Sequence, residues 1–164
     1  AATSCIKKMV QSAEQKNIDV ICICVLSQVN GNNELEFSDG NFLKLSTLCE
    51  PTTKSAYFLN RPKLFFIQAY HKTKQQMFNQ PVPRDSVIFW SSQPTGVRQS
   101  PSLSPFVKEL CENLDQYGST ESLQNILYQI QSRQPGSHWF GDKLNKSLYF
   151  GDQADFIVTE SPSG

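Results

Sequence analysis

The sequence reads as an α/β domain, a largely parallel sheet with helices packed on both faces. Two observations carry this reading. Short apolar runs rich in β-branched and aromatic residues, Val20–Leu26, Lys63–Ala69 and Ser86–Ser91, lie too far apart in the chain to be hairpin partners. Around them, apolar residues recur at helical spacing.

At 164 residues the chain is long enough for one domain with a real core. Fifteen basic residues balance fifteen acidic ones, so nothing favours nucleic acid or an anionic membrane as partner. The longest apolar run, Val20–Leu26, is far short of the roughly 20 residues that span a bilayer. The opening Ala-Ala-Thr-Ser-Cys has no secretory pattern, and five cysteines without a paired framework suit a reducing compartment. A cytoplasmic location is therefore expected.

The elements follow in order. Ser4 to Lys16 is expected to be a helix, with Ile6, Met9, Val10 and Ala13 on one face and Asn17 as its stop. Val20–Leu26 is continuous and β-branched, the pattern of a strand buried on both faces, which would bury Cys22 and Cys24. Ser27–Asn33 reads as a loop, Glu34–Phe37 as a hairpin arm before the turn Ser38-Asp39-Gly40, and Phe42–Leu48 has mixed helical spacing. Lys63–Ala69 and Ser86–Ser91 are the next buried strands, with His71–Arg84, carrying Pro81 and Pro83, as an exposed connection.

Ser104-Pro105 opens a helix whose stripe is Phe106, Leu110, Leu114 and Tyr117. Ser122–Ser132 is a second helix, with Leu123, Ile126, Leu127 and Ile130 on its buried side. Trp139-Phe140 and Lys146–Phe150 read as a final strand or two, and 151–164 as a flexible tail. Cys111 falls beside the first stripe and is expected in the core; Cys49, before Glu50-Pro51, is expected at a helix end as a partly exposed thiol. No Cys/His set has metal-ligand spacing, so neither metal nor cofactor is expected.

Several of these segments carry a family resemblance. Pro62-Lys-Leu-Phe-Phe-Ile-Gln-Ala69 is similar to the caspase strand that ends Gln-Ala-Cys-Arg-Gly and delivers the nucleophile. Val20–Leu26 followed by Ser27 resembles the strand that ends Ser-His-Gly. Val87–Ser92, Arg98-Gln99-Ser100, Ser104 and Phe106 look like the start of the small subunit, and Leu144–Phe150 like its closing interface strand. The resemblance implies a caspase-like sheet, with 1–80 a large-subunit-like part and 85–150 a small-subunit-like part. The family's first two strands find no counterpart, so their edge would need cover from a longer chain or a partner.

The departures bear on activity. Caspases need a thiolate nucleophile, an imidazole to move its proton, and backbone N–H donors for the oxyanion. The nucleophile position holds Tyr70, whose phenol, ordinarily ionising near 10, is a poor nucleophile. Gln28 stands at the histidine position and carries no titratable group there. Val29 stands at the glycine of the oxyanion loop. His71 is adjacent to Tyr70, but strand alternation points it away.

Two pocket residues that grip aspartate in the family match Gln68 and Arg98, which are expected to be substrate-binding positions. His71–Arg84 contains no aspartate at which an inter-subunit cut could fall. Replacement of the nucleophile by tyrosine is the type of change seen in FLICE-inhibitory pseudocaspases. The resemblance thus implies a protein without protease activity, pairing through its C-terminal strand with an active caspase or with itself. Its alternative is a cysteine endopeptidase cleaving after aspartate.

Overall fold

A computed structural model describes residues 2–72, 80–95, 104–134 and 137–151. Helix α1 (Ala2–Gln15) buries Ile6 and Val10, one turn apart, and ends where Asn17 takes a left-handed φ of 54°. Strand β1 (Ile21–Val29) follows. A hairpin of β2 (Leu35–Glu36) and β3 (Phe42–Leu43) turns through Gly40, whose φ of 74° favours glycine. Helix α2 (Leu45–Thr53) leads to the long strands β4 (Lys63–His71) and β5 (Ser86–Pro94). Helices α3 (Pro105–Tyr117) and α4 (Leu123–Arg133) precede the edge strand β6 (His138–Asp142).

The sheet order is β3-β2-β1-β4-β5-β6. β1, β4 and β5 are parallel, while β2, β3 and β6 run antiparallel to their neighbours. Alternation along the strands divides the core into two layers. Phe65, Ile67 and Ala69 of β4, with Ile88 and Trp90 of β5, pack with Ile6 and Val10 of α1 and Leu45, Leu48 and Cys49 of α2. On the other face, Leu64, Phe66, Val87 and Phe89 meet Phe106 and Leu110 of α3 and Leu123, Ile126, Leu127 and Ile130 of α4. Phe89 and Phe106 stack with ring centroids 4.6 Å apart. The expected α/β sheet with helices on both faces is the observed fold.

Several local expectations are corrected. β1 does not stop at Leu26: Ser27, Gln28 and Val29 continue the ladder opposite Ala69, Tyr70 and His71, because β4 also runs on, two residues past Ala69. The Ser27 hydroxyl adds a bond to the Glu36 carbonyl of β2. Nor is β1 buried on both faces. Ile21, Ile23 and Val29 are buried against α1 and α2, whereas Cys22, Cys24 and Leu26 are exposed. The α3/α4 layer centres on β4 and β5 and covers β1's second face only in part, with Cys111 of α3 near Cys24.

Cys49 is buried, not partly exposed, since α2 runs on through Pro51 and sets Leu45, Leu48, Cys49 and Thr52 inward. Cys111 is exposed, on the flank of the Phe106–Leu110 stripe, and Tyr117 at the end of α3 is also exposed. Leu144–Phe150 is not a strand. It is a strap bound to the α3–α4 corner, with Leu123 N donating to Leu148 O and Phe150 N to Gly118 O, both at 2.7 Å. Its own backbone groups are taken up by that corner, which leaves β6 as the edge.

Two buried polar residues fix the start of the paired strands. The Lys63 ammonium donates to the carbonyls of Phe58 (2.7 Å) and Arg61 (2.8 Å), which compensates a charge that burial disfavours. Asp85, at φ 54°, bonds Asn145 through its carboxylate, Lys63 N through its carbonyl and Lys143 O through its amide. It thereby joins β4, β5 and the strap at one point.

Candidate active-site edge

In a parallel sheet, ligand chemistry belongs at the carboxyl ends of the strands, where side chains and loop amides face open space. Here that edge is formed by β1, β4 and β5. Their register puts Gln28, Tyr70 and Gln93 on one row, with neighbours about 4.8 Å apart across the ladder. The next row is Val29, His71 and Pro94. Tyr70 and Gln28, which the family resemblance sets at the nucleophile and histidine positions, are therefore direct cross-strand neighbours. Sequence spacing alone left that juxtaposition as an inference from family resemblance.

Gln28 is exposed and Tyr70 half-buried. A row of two carboxamides and a phenol holds hydrogen-bond donors and acceptors, and it carries neither a thiol nor an imidazole. Val29 is buried, its side chain in the α1/α2 layer, and its backbone is flanked by His71 on one side and Leu35 on the other. His71 sits on the alternate row from Tyr70, as alternation predicts, and its carbonyl accepts from the Thr95 amide at 2.9 Å.

The cysteines do not supply a substitute nucleophile at this edge. Burial pushes the Cys49 thiol up to about 12. Cys22 and Cys24 are exposed as residues, yet their thiols lie against the strand and are desolvated. Cys22 is pushed up to about 12 by burial and Cys24, and Cys24 to about 11 by burial and Cys111. A thiol in that range is almost wholly protonated at neutral pH. Cys5 on α1 and Cys111 on α3 are exposed and lie away from the strand ends. Among the described residues, no group of three His, Cys, Asp or Glu side chains is arranged to hold a metal.

Gln68, expected to bind substrate, is fully buried. Its amide oxygen accepts from the Ser104 hydroxyl at 2.6 Å and its nitrogen donates to the Ser91 carbonyl at 3.4 Å. Ser104 is the residue before α3, so this contact seats the helix start on β4 and β5. Arg98 lies outside the described residues. The buried polar group Gln68–Ser91–Ser104, with His138 opposite Ser91 on β6, was not visible in the sequence. Ser104-Pro105 did signal a helix start, but nothing local pairs Ser104 with a strand residue so distant in the chain.

A cavity of about 660 Å³, open to solvent, lies between α1 and α2 and is bordered by Lys7, Glu14, Glu50 and Lys54. It is remote from the strand ends and its charges balance. Among the described residues no helix is long and apolar enough to cross a membrane.

The chain was compared with known families, proteins and structures. No curated protein matches it. Among solved structures it is similar to caspase-1 from Spodoptera frugiperda, at 22% identity and a TM-score of 0.67 over 96% of this chain and 74% of that one. It is also similar to the structure of pro-sf-caspase-1, at 20% identity and a TM-score of 0.63 over 92% of this chain and 74% of that one. Identities this low speak for the fold alone. The caspase-domain family model matches residues 2–138, which covers both strands of the Gln28–Tyr70 row and both helical layers, and on that match the chain belongs to the caspase-domain family.

Proposed function

We propose that this caspase-family domain is a pseudocaspase: it does not cleave peptides but pairs with a catalytically active caspase and sets that enzyme's activity. The observation that carries the reading is the Gln28–Tyr70–Gln93 row, where thiol and imidazole are both replaced at the strand ends. Peptide cleavage on this fold needs a nucleophile that can be deprotonated and a base within hydrogen-bond reach. The row offers neither. The raised thiols of Cys22, Cys24 and Cys49 add no alternative.

Pairing is assigned to β6. Among the described residues it is an antiparallel edge strand partnered by β5 alone, with half-buried Trp139 on the α1/α2 side and half-buried Phe140 on the α3/α4 side. An open edge flanked by aromatic side chains suits docking of a second strand. A role with apoptotic or inflammatory caspases, and a cytoplasmic location, belong to this proposal.

Two measurements test it. Purified chain incubated with a fluorogenic aspartyl peptide should give no turnover above background; measurable hydrolysis would restore the endopeptidase alternative. Captured active caspase should be retained by the wild-type chain and by Tyr149→Asp, which alters an exposed residue of the strap, but lost with Phe140→Glu on β6. Equal retention by a folded Phe140→Glu variant removes β6 from the proposal.

A further inference from the structure

The sequence contains only two histidines, and the site does not use His138. It is the first residue of β6, is 7% exposed, and stands directly opposite Ser91 of β5 on the α3/α4 face. Its ring lies 5.3 Å from the Phe89 centroid and 6.1 Å from that of Phe106, so β5 and α3 surround it with aromatic surface. Among the described residues its Nδ1 has no hydrogen-bond partner, nor does the buried Ser91 hydroxyl oxygen opposite.

We propose that His138 is a pH-sensitive pin for β6, such that protonating its imidazole loosens the start of the strand and weakens docking at that edge. The docking half rests on the β6 reading above; the pin itself does not.

The physical case begins with what protonation adds. A neutral imidazole fits among phenyl rings at modest cost, whereas the imidazolium carries a full charge and makes both ring nitrogens donors. Nδ1 would then need an acceptor; among the described residues the groups around the ring are two phenyl rings, the Ser91 hydroxyl and the Ser137 backbone, whose carbonyl already accepts from Ser92 N at 2.7 Å, and none of them is anionic. The charged groups on the packed elements are already engaged or distant. Glu109 of α3 is ion-paired with Arg133 of α4, and Lys108 of α3 pairs with Glu112 at 3.8 Å. On β6 itself, Asp142 lies roughly 13 Å further along the strand and accepts from Leu144 N.

Burial accordingly holds His138 below the ordinary imidazole value, with the Ser137 backbone and Glu109 opposing only in part. The sign follows from linkage. A proton binds the unfolded or opened chain more readily than the folded one, so stability is intact above the ordinary value of about 6.5 and is lost as pH falls from there toward the lower folded value. The strand end that carries the imidazole is where the loss is felt first. β6 is short and at the sheet edge, so it opens at lower cost than β4.

The test uses the whole chain and needs no partner for its first arm. NMR titration of the two imidazoles should place the His138 midpoint below about 6.5. Over the same range, β6 amides should lose exchange protection several-fold relative to β4 amides, after correction for intrinsic exchange. His138→Phe, which fills the aromatic niche without titrating, should abolish that relative loss, and His138→Leu provides a second non-titrating variant.

The pin is overturned by an ordinary midpoint for His138, by β6 protection that tracks β4, or by an unchanged pH response in a folded variant. The second arm measures capture of active caspase at about pH 7.5 and about pH 6. Weaker capture at the lower value, suppressed by His138→Phe, supports the full statement. No capture at either value, with β6 still responding, defeats the docking reading and leaves the pin standing.

Discussion

At the residue scale, the central observation is a phenol and a carboxamide that meet across a ladder. Tyr70 and Gln28 come from strands separated by a hairpin and a helix, yet the β1–β4 register sets them side by side. Restoring one partner alone should therefore do little. Tyr70→Cys is expected to stay at background in a peptide-cleavage assay, because Gln28 cannot take the thiol proton. Adding Gln28→His puts an imidazole one ladder spacing away, and the double variant should alkylate with iodoacetamide faster at neutral pH than the single one. Hydrolysis by Tyr70→Cys alone would mean that a base reaches the row from elsewhere. Tyr70 and Gln28 could be singled out because Gln-Ala-Tyr and Ser-Gln-Val each follow a strong apolar strand, whereas Gln93 lies beyond the strand end expected at Ser91. The fate of Gln68 was not. Its partners Ser91 and Ser104 are distant in sequence, and burial of an amide is decided by what packs on it, which no local pattern encodes.

At the element scale, β1 shows where pattern and environment part. A run such as Ile21-Cys-Ile-Cys-Val-Leu26 is apolar at every position, and periodicity then carries no information about which face is covered. In the structure the α1/α2 side is filled, whereas the other is covered only in part and leaves Leu26 52% exposed. This asymmetry makes a direct comparison available on one strand. Ile23→Ala removes atoms from a packed layer and should cost about 2–5 kcal/mol by urea denaturation. Cys24→Ala, on the partly covered face, should cost less, roughly 1 kcal/mol. An equal loss at Cys24 would show that this face is covered as fully as the other. The strap was misread for a related reason: Leu144–Phe150 has strand-like composition, but Leu148 and Phe150 pack on the α3/α4 layer while their backbone bonds the helix corner instead of a ladder.

At the scale of the whole molecule, one sheet serves as the floor of both core layers. The parallel centre and two-sided helical cover could be read from spacing, since crossovers between parallel strands need a dozen or more residues. The strand order could not, because no local pattern says which strands lie side by side. Because β4 is buried from Lys63 to Ala69 and contributes Phe65 and Ile67 to one layer and Leu64 and Phe66 to the other, neither layer can melt without exposing the back of its partner. The expected outcome is a single cooperative transition. The two tryptophans report from the α1/α2 layer, Trp90 inside it and Trp139 at its margin. A cavity placed in the opposite layer by Leu127→Ala should nonetheless move their fluorescence midpoint together with the far-UV circular dichroism midpoint. Its cost of about 2–5 kcal/mol corresponds, at roughly 2–4 °C per kcal/mol for a chain of this size, to a shift well outside error. If fluorescence keeps its wild-type midpoint while the dichroism midpoint falls, the layers unfold separately and β4 does not couple them.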